Sequence, residues 1–293
     1  PRFDLVTGVS TGALMATFAF LGDDADDEVL RAVYTSVRNG DVFDGPINGE
    51  RPNAVFGTSP LRRLIAKHVT PEVVRRVADA HRAGRRLYVA TVELDAGDTV
   101  VWPLSRMAAD AAPACTVAVD PAGVERFRAV LLAAAAIPVL FPPVEIDGGL
   151  HVDAGLREGL FLRPAMLGPA DAGAASTGDT PAVYAVVNGT LRSDPENVTD
   201  HVLHIGVRSL RLFADALLLF NLRDAAHAAD ARRFAFRWTS EPEGLDGEEG
   251  LAASVSGATF DPAVMAKLYA AGRAAGEAGV WQQGAPGVGA DGR

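Results

Sequence analysis

Cysteine is almost missing from this chain: Cys115 is the only one among 293 residues. A single thiol cannot close an internal disulfide or build a cysteine-based zinc site, so oxidised staples and zinc fingers are excluded. A reducing compartment is compatible with that. Lysine is nearly missing too, with Lys67 and Lys267 the only two among 27 basic residues, which face 37 acidic ones for a net charge of −10. That is the wrong sign for a surface that must neutralise phosphates, which argues against a nucleic-acid partner. Long apolar runs are missing as well. The longest, Ala129 to Val144, is interrupted by Pro138, Pro142 and Pro143, and falls short of the roughly 20 residues of a spanning helix. No signal-peptide pattern is visible, but the chain opens at Pro1 with no methionine and enters an apolar strand pattern at once. Residues upstream are therefore expected, and export is left open. The expected location is the cytoplasm, or the periphery of a membrane.

What is present is enough apolar material for a large core: 48% of residues are hydrophobic and 22% charged, an ordinary globular balance. Helix starts are written as a capping residue followed by proline at Ser59-Pro60, Thr70-Pro71, Asp120-Pro121 and Asp261-Pro262. The helix from Pro71 should stop near Gly84, and the one from Pro121 before Pro138. Strands are expected at Arg86 to Glu93, Thr99 to Trp102 and Val183 to Val187, and a hairpin at Val144 to Ile146 and Leu150 to Val152 around Asp147-Gly148. Helices alternating with apolar strands predict an α/β fold with a mainly parallel central sheet flanked by helices. Gly168 to Pro181, Ser240 to Gly250 and a tail at Gly284 to Arg293 read as loops. There is no internal repeat of solenoid period. One domain is expected over residues 1–283, with a core in 1–167, a C-terminal part in 182–283 and a disordered tail over 284–293.

The chemistry begins near the start. Arg2 to Thr7 is a strand pattern, Gly8-Val9-Ser10-Thr11-Gly12 follows, and Ala13 to Phe20 is helix-like. Strand, tight turn and helix is the context of a G-x-S-x-G nucleophile elbow. Glycines on either side let the backbone turn sharply, and Ser10 is pushed out in a strained position. The N-terminus of the following helix stabilises negative charge developing there. A phosphate-binding turn is the rival reading of this segment, but the lysine and the longer glycine spacing of a P-loop are missing.

A serine hydroxyl needs a base. Among His68, His81, His151, His201, His204 and His227, only His201 and His204 follow the serine in triad order and flank an apolar segment. Two carboxylates compete with them in the stretch Phe141 to Gly155. Asp147 has a structural explanation as a hairpin turn residue. Asp153 ends the second hairpin strand beside Ala154 and Gly155, where by spacing alone a plain cap or turn residue is the better reading.

GVSTGAL after a strand, TSPLRRLIAKH, ATVELDAGD, AAAAIPVLFPPVEIDG and HVDAGLREG, in that order and spacing, resemble the patatin-like phospholipase family. The resemblance covers Phe3 to about Leu167 and continues more weakly onward. It implies a three-layer α/β/α fold and a serine acyl hydrolase of the phospholipase A or lipid esterase type, acting through a Ser–Asp dyad and an acyl-enzyme. It implies no metal and no organic cofactor. Carried onto this sequence, Ser10 is the nucleophile, Asp153 the general base, Thr11 an oxyanion N–H donor, and Gly8 and Gly12 the elbow glycines. Its partners would be a lipid or acyl-ester substrate and, transiently, a membrane surface.

Two departures from the family pattern stand out. Ala154 occupies the place of the glycine in the family's D-G motif, so a positive φ there would strain the loop. The glycine-rich oxyanion loop, G-G-G-x-R-G in form, has no counterpart in the sequence. Losing one oxyanion donor costs about 10²–10³ in turnover, so a truncated, weakly active chain is expected. The departures also motivate a rival of another class, a non-catalytic binding or regulatory protein on the same fold. A Ser–His–Asp esterase is a third reading. In Leu203 to Leu222, Leu210, Phe213, Leu217 and Phe220 recur at helical spacing beside Arg208 and Arg211. Such a stripe usually packs into a core, and otherwise lies at a lipid interface.

Overall fold

The structure is a computed structural model that describes residues 2–45, 53–116, 118–167, 181–189, 191, 195, 197–241 and 260–286. It falls into two compact units, Pro1–Arg157 with Phe260–Met265, and Glu158–Thr259 with Ala266–Arg293. Each is taken by itself.

The first unit carries a five-stranded sheet built from β1 (Leu5–Gly8), β2 (Arg86–Glu93), β3 (Asp98–Trp102), β4 (Val144–Ile146) and β5 (Gly149–Asp153). Around it lie α1 (Thr11–Leu21), α2 (Asp24–Ser36), α3 (Asn39–Val42), α4 (Ser59–His68), α5 (Pro71–Arg82), α6 (Leu104–Ala111) and α7 (Pro121–Ala134). The α/β class and the helix-flanked central sheet match the expectation. The sheet is mixed: β1 and β2 pair in parallel, while β2–β3, β2–β5 and β5–β4 are antiparallel. Two of the three antiparallel pairs, β2–β3 and β4–β5, are hairpins, whose tight turns can join only antiparallel strands.

The register positions the site. Val89 of β2 pairs with both Gly8 and Trp102, and Thr91 pairs with both Val100 and Asp153. β1 and β5 therefore share the edge of β2 opposite β3, and they run toward each other. Gly8 ends β1 opposite Val89 and Asp153 ends β5 opposite Thr91, two residues or about 7 Å apart along one strand.

The proline-marked helix starts hold. Thr70 accepts from the Val73 N–H, Asp120 from Ala122 and Gly123, and Asp261 from Ala263. At α4 the cap is Thr58, so Ser59 is already helical, one residue earlier than the sequence reading. The Asp147-Gly148 turn has both residues at positive φ, 54° and 87°, as a two-residue hairpin of right-handed twist requires. Asp147 is also paired with Arg126. The core of this unit includes the fully buried Phe20, Val74, Val77, Leu87, Val89, Leu104, Phe127 and Leu131. Arg85 is buried among them. Its guanidinium stacks 4.4 Å from the Phe20 ring centroid and donates to the Phe3 and Phe20 carbonyls, tying the approach to β1 to the end of α1.

The second unit carries a three-stranded sheet of β6 (Ala182–Val186), β7 (Ala235–Thr239) and β8 (Gln282–Gln283), with the long helix α8 (Val202–Asp230). Helix α9 is Pro262–Glu277. Leu222, Ala225, Ala226 and Ala229 of α8 are buried. Of the stripe read from the sequence, Leu210 and Leu217 are half-buried, but Phe213 is 56% and Phe220 74% exposed. Most of the three expected loops, at 168–180, 242–250 and 287–293, lies outside the described residues.

Candidate active site

Gly8 closes β1 where a side chain has no room. A Cβ there would stand 2.7 Å from the Ala13 Cα and the Gly12 carbonyl oxygen, and 2.8 Å from the Ala16 Cβ. Backbone and short side chains cannot give way, so only glycine lets α1 fold back this tightly against the strand that precedes it. Between the two, Ser10 stands at φ 55°, ψ −132°, a conformation costing a residue with a side chain about 1–3 kcal/mol. Its carbonyl accepts the Ala13 N–H at 2.9 Å, opening the helix, while its own side chain makes no capping bond. The hydroxyl is thereby left for other use, and Ser10 is half-buried.

That hydroxyl lies near enough to the carboxyl group of Asp153 to favour its ionised form. Asp153 is 4% exposed, its main-chain N–H donates to the Ala136 carbonyl at 3.0 Å, and its Oδ1 accepts the Gly155 N–H at 2.8 Å. Burial pushes this carboxyl up to about 6, against Ser10 and the Gly155 hydrogen bond, which favour the anion. Ala154 is not among the non-glycine residues at positive φ, which are Ser10, Val139, Asp147 and Arg233. The strain feared at that position does not arise: Ala154 is fully buried and opens a short 3₁₀ turn, Ala154–Leu156.

Behind Asp153 runs a polar chain that the spacing did not show. Trp102 Nε1 donates to Thr91 Oγ1 at 2.7 Å, and Thr91 Oγ1 lies 3.0 Å from His151 Nδ1. Burial holds this histidine below its ordinary value, with Glu93 and Asp147 opposing. It is a buried strut tied to Thr91. His204 belongs to the second unit, where its Nδ1 accepts the Thr199 N–H at 3.0 Å. His81 meets Ser105 at 3.0 Å.

Thr11 begins α1, so its N–H is one of the first-turn donors without an intrahelical acceptor. Its side chain and carbonyl meet Tyr34 of α2, with Oγ1 2.8 Å and the carbonyl oxygen 3.3 Å from the phenol oxygen. The sequence reading missed Tyr34 and all of α2, although Asp23, Asp24, Asp26 and Asp27 are the acidic first-turn pattern of a helix start.

Against this geometry, a comparison with protein-family models matches the chain to patatin-like phospholipase over residues 1–166. The chain belongs to the patatin-like phospholipase family. Its members are lipid acyl hydrolases that act on lipid substrates. No curated protein matches the chain significantly. The matched stretch contains the β1–α1 elbow with Ser10 and the β5 terminus with Asp153. Among the described residues no cluster of His, Cys, Asp and Glu could hold a metal ion, and no helix is long and apolar enough to cross a membrane.

Proposed function

We propose that this patatin-like chain is a serine acyl hydrolase of lipid esters that works through a Ser10–Asp153 dyad, with residues 1–283 acting as one functional domain. The observation that carries the reading is the juxtaposition of a backbone-strained serine at a helix N-terminus with a buried carboxyl group, brought together where β1 ends opposite Val89 and β5 ends opposite Thr91, with burial raising that carboxyl to about 6. A carboxylate of ordinary pKa is a poor base, and this one is moved toward neutrality while still ionised at pH 7.

In the forward step Ser10 Oγ attacks the ester carbonyl carbon as Asp153 takes the hydroxyl proton. The tetrahedral oxyanion faces the Thr11 N–H and the positive end of α1. The ester C–O bond then breaks, and the alcohol leaves with the proton returned by Asp153. Water attacks the acyl-enzyme, giving its proton to the same carboxylate; Ser10 recovers it as the fatty acid departs.

A membrane surface belongs to this proposal as the place where the substrate is met, and the exposed Val202, Ile205, Leu212, Phe213 and Phe220 of α8 support it. The test is labelling with a fluorophosphonate alongside hydrolysis of a fatty-acyl ester. The unsubstituted chain should label and hydrolyse, Ser10→Ala should do neither, and His204→Ala should match the unsubstituted chain. Equal labelling of Ser10→Ala would remove the nucleophile assignment, and loss of hydrolysis in His204→Ala would favour a triad.

A further inference from the structure

We propose that Tyr34 is a positioning residue for the oxyanion donor: by gripping Thr11 from the neighbouring helix, it fixes where the Thr11 N–H points while Ser10 reacts. The inference rests on the acyl-hydrolase reading and adds to it a residue that neither the elbow motif nor the dyad contains.

The grip has two strands. The phenol oxygen lies 2.8 Å from the Thr11 hydroxyl and 3.3 Å from the Thr11 carbonyl oxygen, so it is within hydrogen-bond reach of both. One residue is thus held by side chain and main chain at once, from 23 positions away. One consequence follows at the elbow. Ser10 sits in a backbone conformation that persists only where its surroundings over-determine it, and α1 begins at the very next residue, with no side-chain cap to anchor it. Tyr34 supplies the missing anchor.

Tyr34 itself is held by the chain. It projects from α2, whose start is stapled by Arg76 to Asp23 at 2.7 Å and to the buried Asp26 at 2.6 Å. Burial pushes the phenol up to about 12, so it stays protonated and donating throughout the working pH range.

Tyr34→Phe deletes both hydrogen bonds and keeps the ring. A donor that is loosened rather than removed should cost less than the 10²–10³ of outright loss. The expected result is kcat down by about 10-fold, KM within about twofold, fluorophosphonate labelling slowed in parallel, and the acidic limb of the pH–rate profile unmoved, because Asp153 is untouched. Thr11→Val removes the side-chain strand of the grip and leaves the one to the main-chain carbonyl, so kcat should fall more than twofold but no further than in Tyr34→Phe, and the double variant should be no worse than Tyr34→Phe. A purely structural role would lower the melting temperature and leave kcat alone. Turnover of Tyr34→Phe within twofold of the unsubstituted chain, or multiplicative losses in the double variant, would overturn the inference while leaving the dyad standing. Should Tyr34→Phe not fold, Thr11→Val carries the test alone, and full turnover there overturns the inference. A native chain that neither labels nor hydrolyses takes down both this inference and the reading beneath it.

Discussion

Asp153 is asked to do two things that oppose each other. A carboxyl group raised from 3.8 to about 6 by burial binds its proton more tightly in the folded chain than in the unfolded one. The stability it contributes is fully present below pH 3.8 and is lost as pH rises through about 6. That shift amounts to about 3 kcal/mol of native-state cost at pH 8. Asp153→Asn should therefore abolish hydrolysis and yet melt several degrees higher at pH 8, with the advantage gone at pH 4. Thermal melts at the two pH values check it, and an equal loss of stability at both would show that the carboxylate is structurally favourable after all. With Asp153 as the proposed base, kcat/KM should climb with pH through a midpoint near 6. Ser10 makes the same kind of sacrifice in its backbone. At φ 55°, Ser10→Gly removes the Cβ penalty that Ser10→Ala keeps, and it should exceed the alanine variant in unfolding free energy by about 1 kcal/mol. Denaturant titration of the two inactive variants reads the difference directly, and an alanine variant as stable as the glycine one would mean that the elbow is unstrained.

The elements show where residue patterns suffice and where they do not. Pro71, Pro121 and Pro262 at helix starts, and Asp147-Gly148 in the hairpin, were legible because caps and two-residue turns are decided by neighbours in sequence. So was the elbow, since strand, glycine, serine, glycine and helix are consecutive. What could not be read is that β1 and β5 meet head to head on one edge of β2. Pairings of Gly8 with Val89 and of Thr91 with Asp153 span tens of residues and are selected by packing of whole layers, to which local spacing is blind. That is also why Asp153 read as an ordinary turn residue, and why the Trp102–Thr91–His151 chain and Tyr34 went unseen. At this scale Gly8 is the hinge of the argument. Gly8→Ala places a methyl 2.7 Å from main-chain atoms of α1, so strand and helix must part. The expected cost is about 2–3 kcal/mol in denaturant unfolding, with slow labelling of Ser10 in whatever folds. Stability and labelling both like the unsubstituted chain would mean that the β1–α1 junction has slack.

On the scale of the whole molecule, the net charge of −10 governs which lipid surface can be approached. An anionic bilayer repels such a chain over a Debye length of about 10 Å at 0.1 M salt, whereas a zwitterionic one does not. If lipid is met at a surface, hydrolysis of anionic vesicles should be slow at low salt and recover as salt rises, while hydrolysis of zwitterionic vesicles stays flat. Apolar contact must then supply the binding. The exposed side of α8 offers Phe213 and Phe220 two turns apart, 56% and 74% exposed. A Phe213→Asp, Phe220→Asp chain touches neither Ser10 nor Asp153, so it should cleave a soluble short-chain ester at the unsubstituted rate and lose both co-sedimentation with zwitterionic vesicles and turnover on them. Equal turnover on vesicles would take α8 out of substrate capture. The elbow would then have to meet its ester as a dissolved monomer.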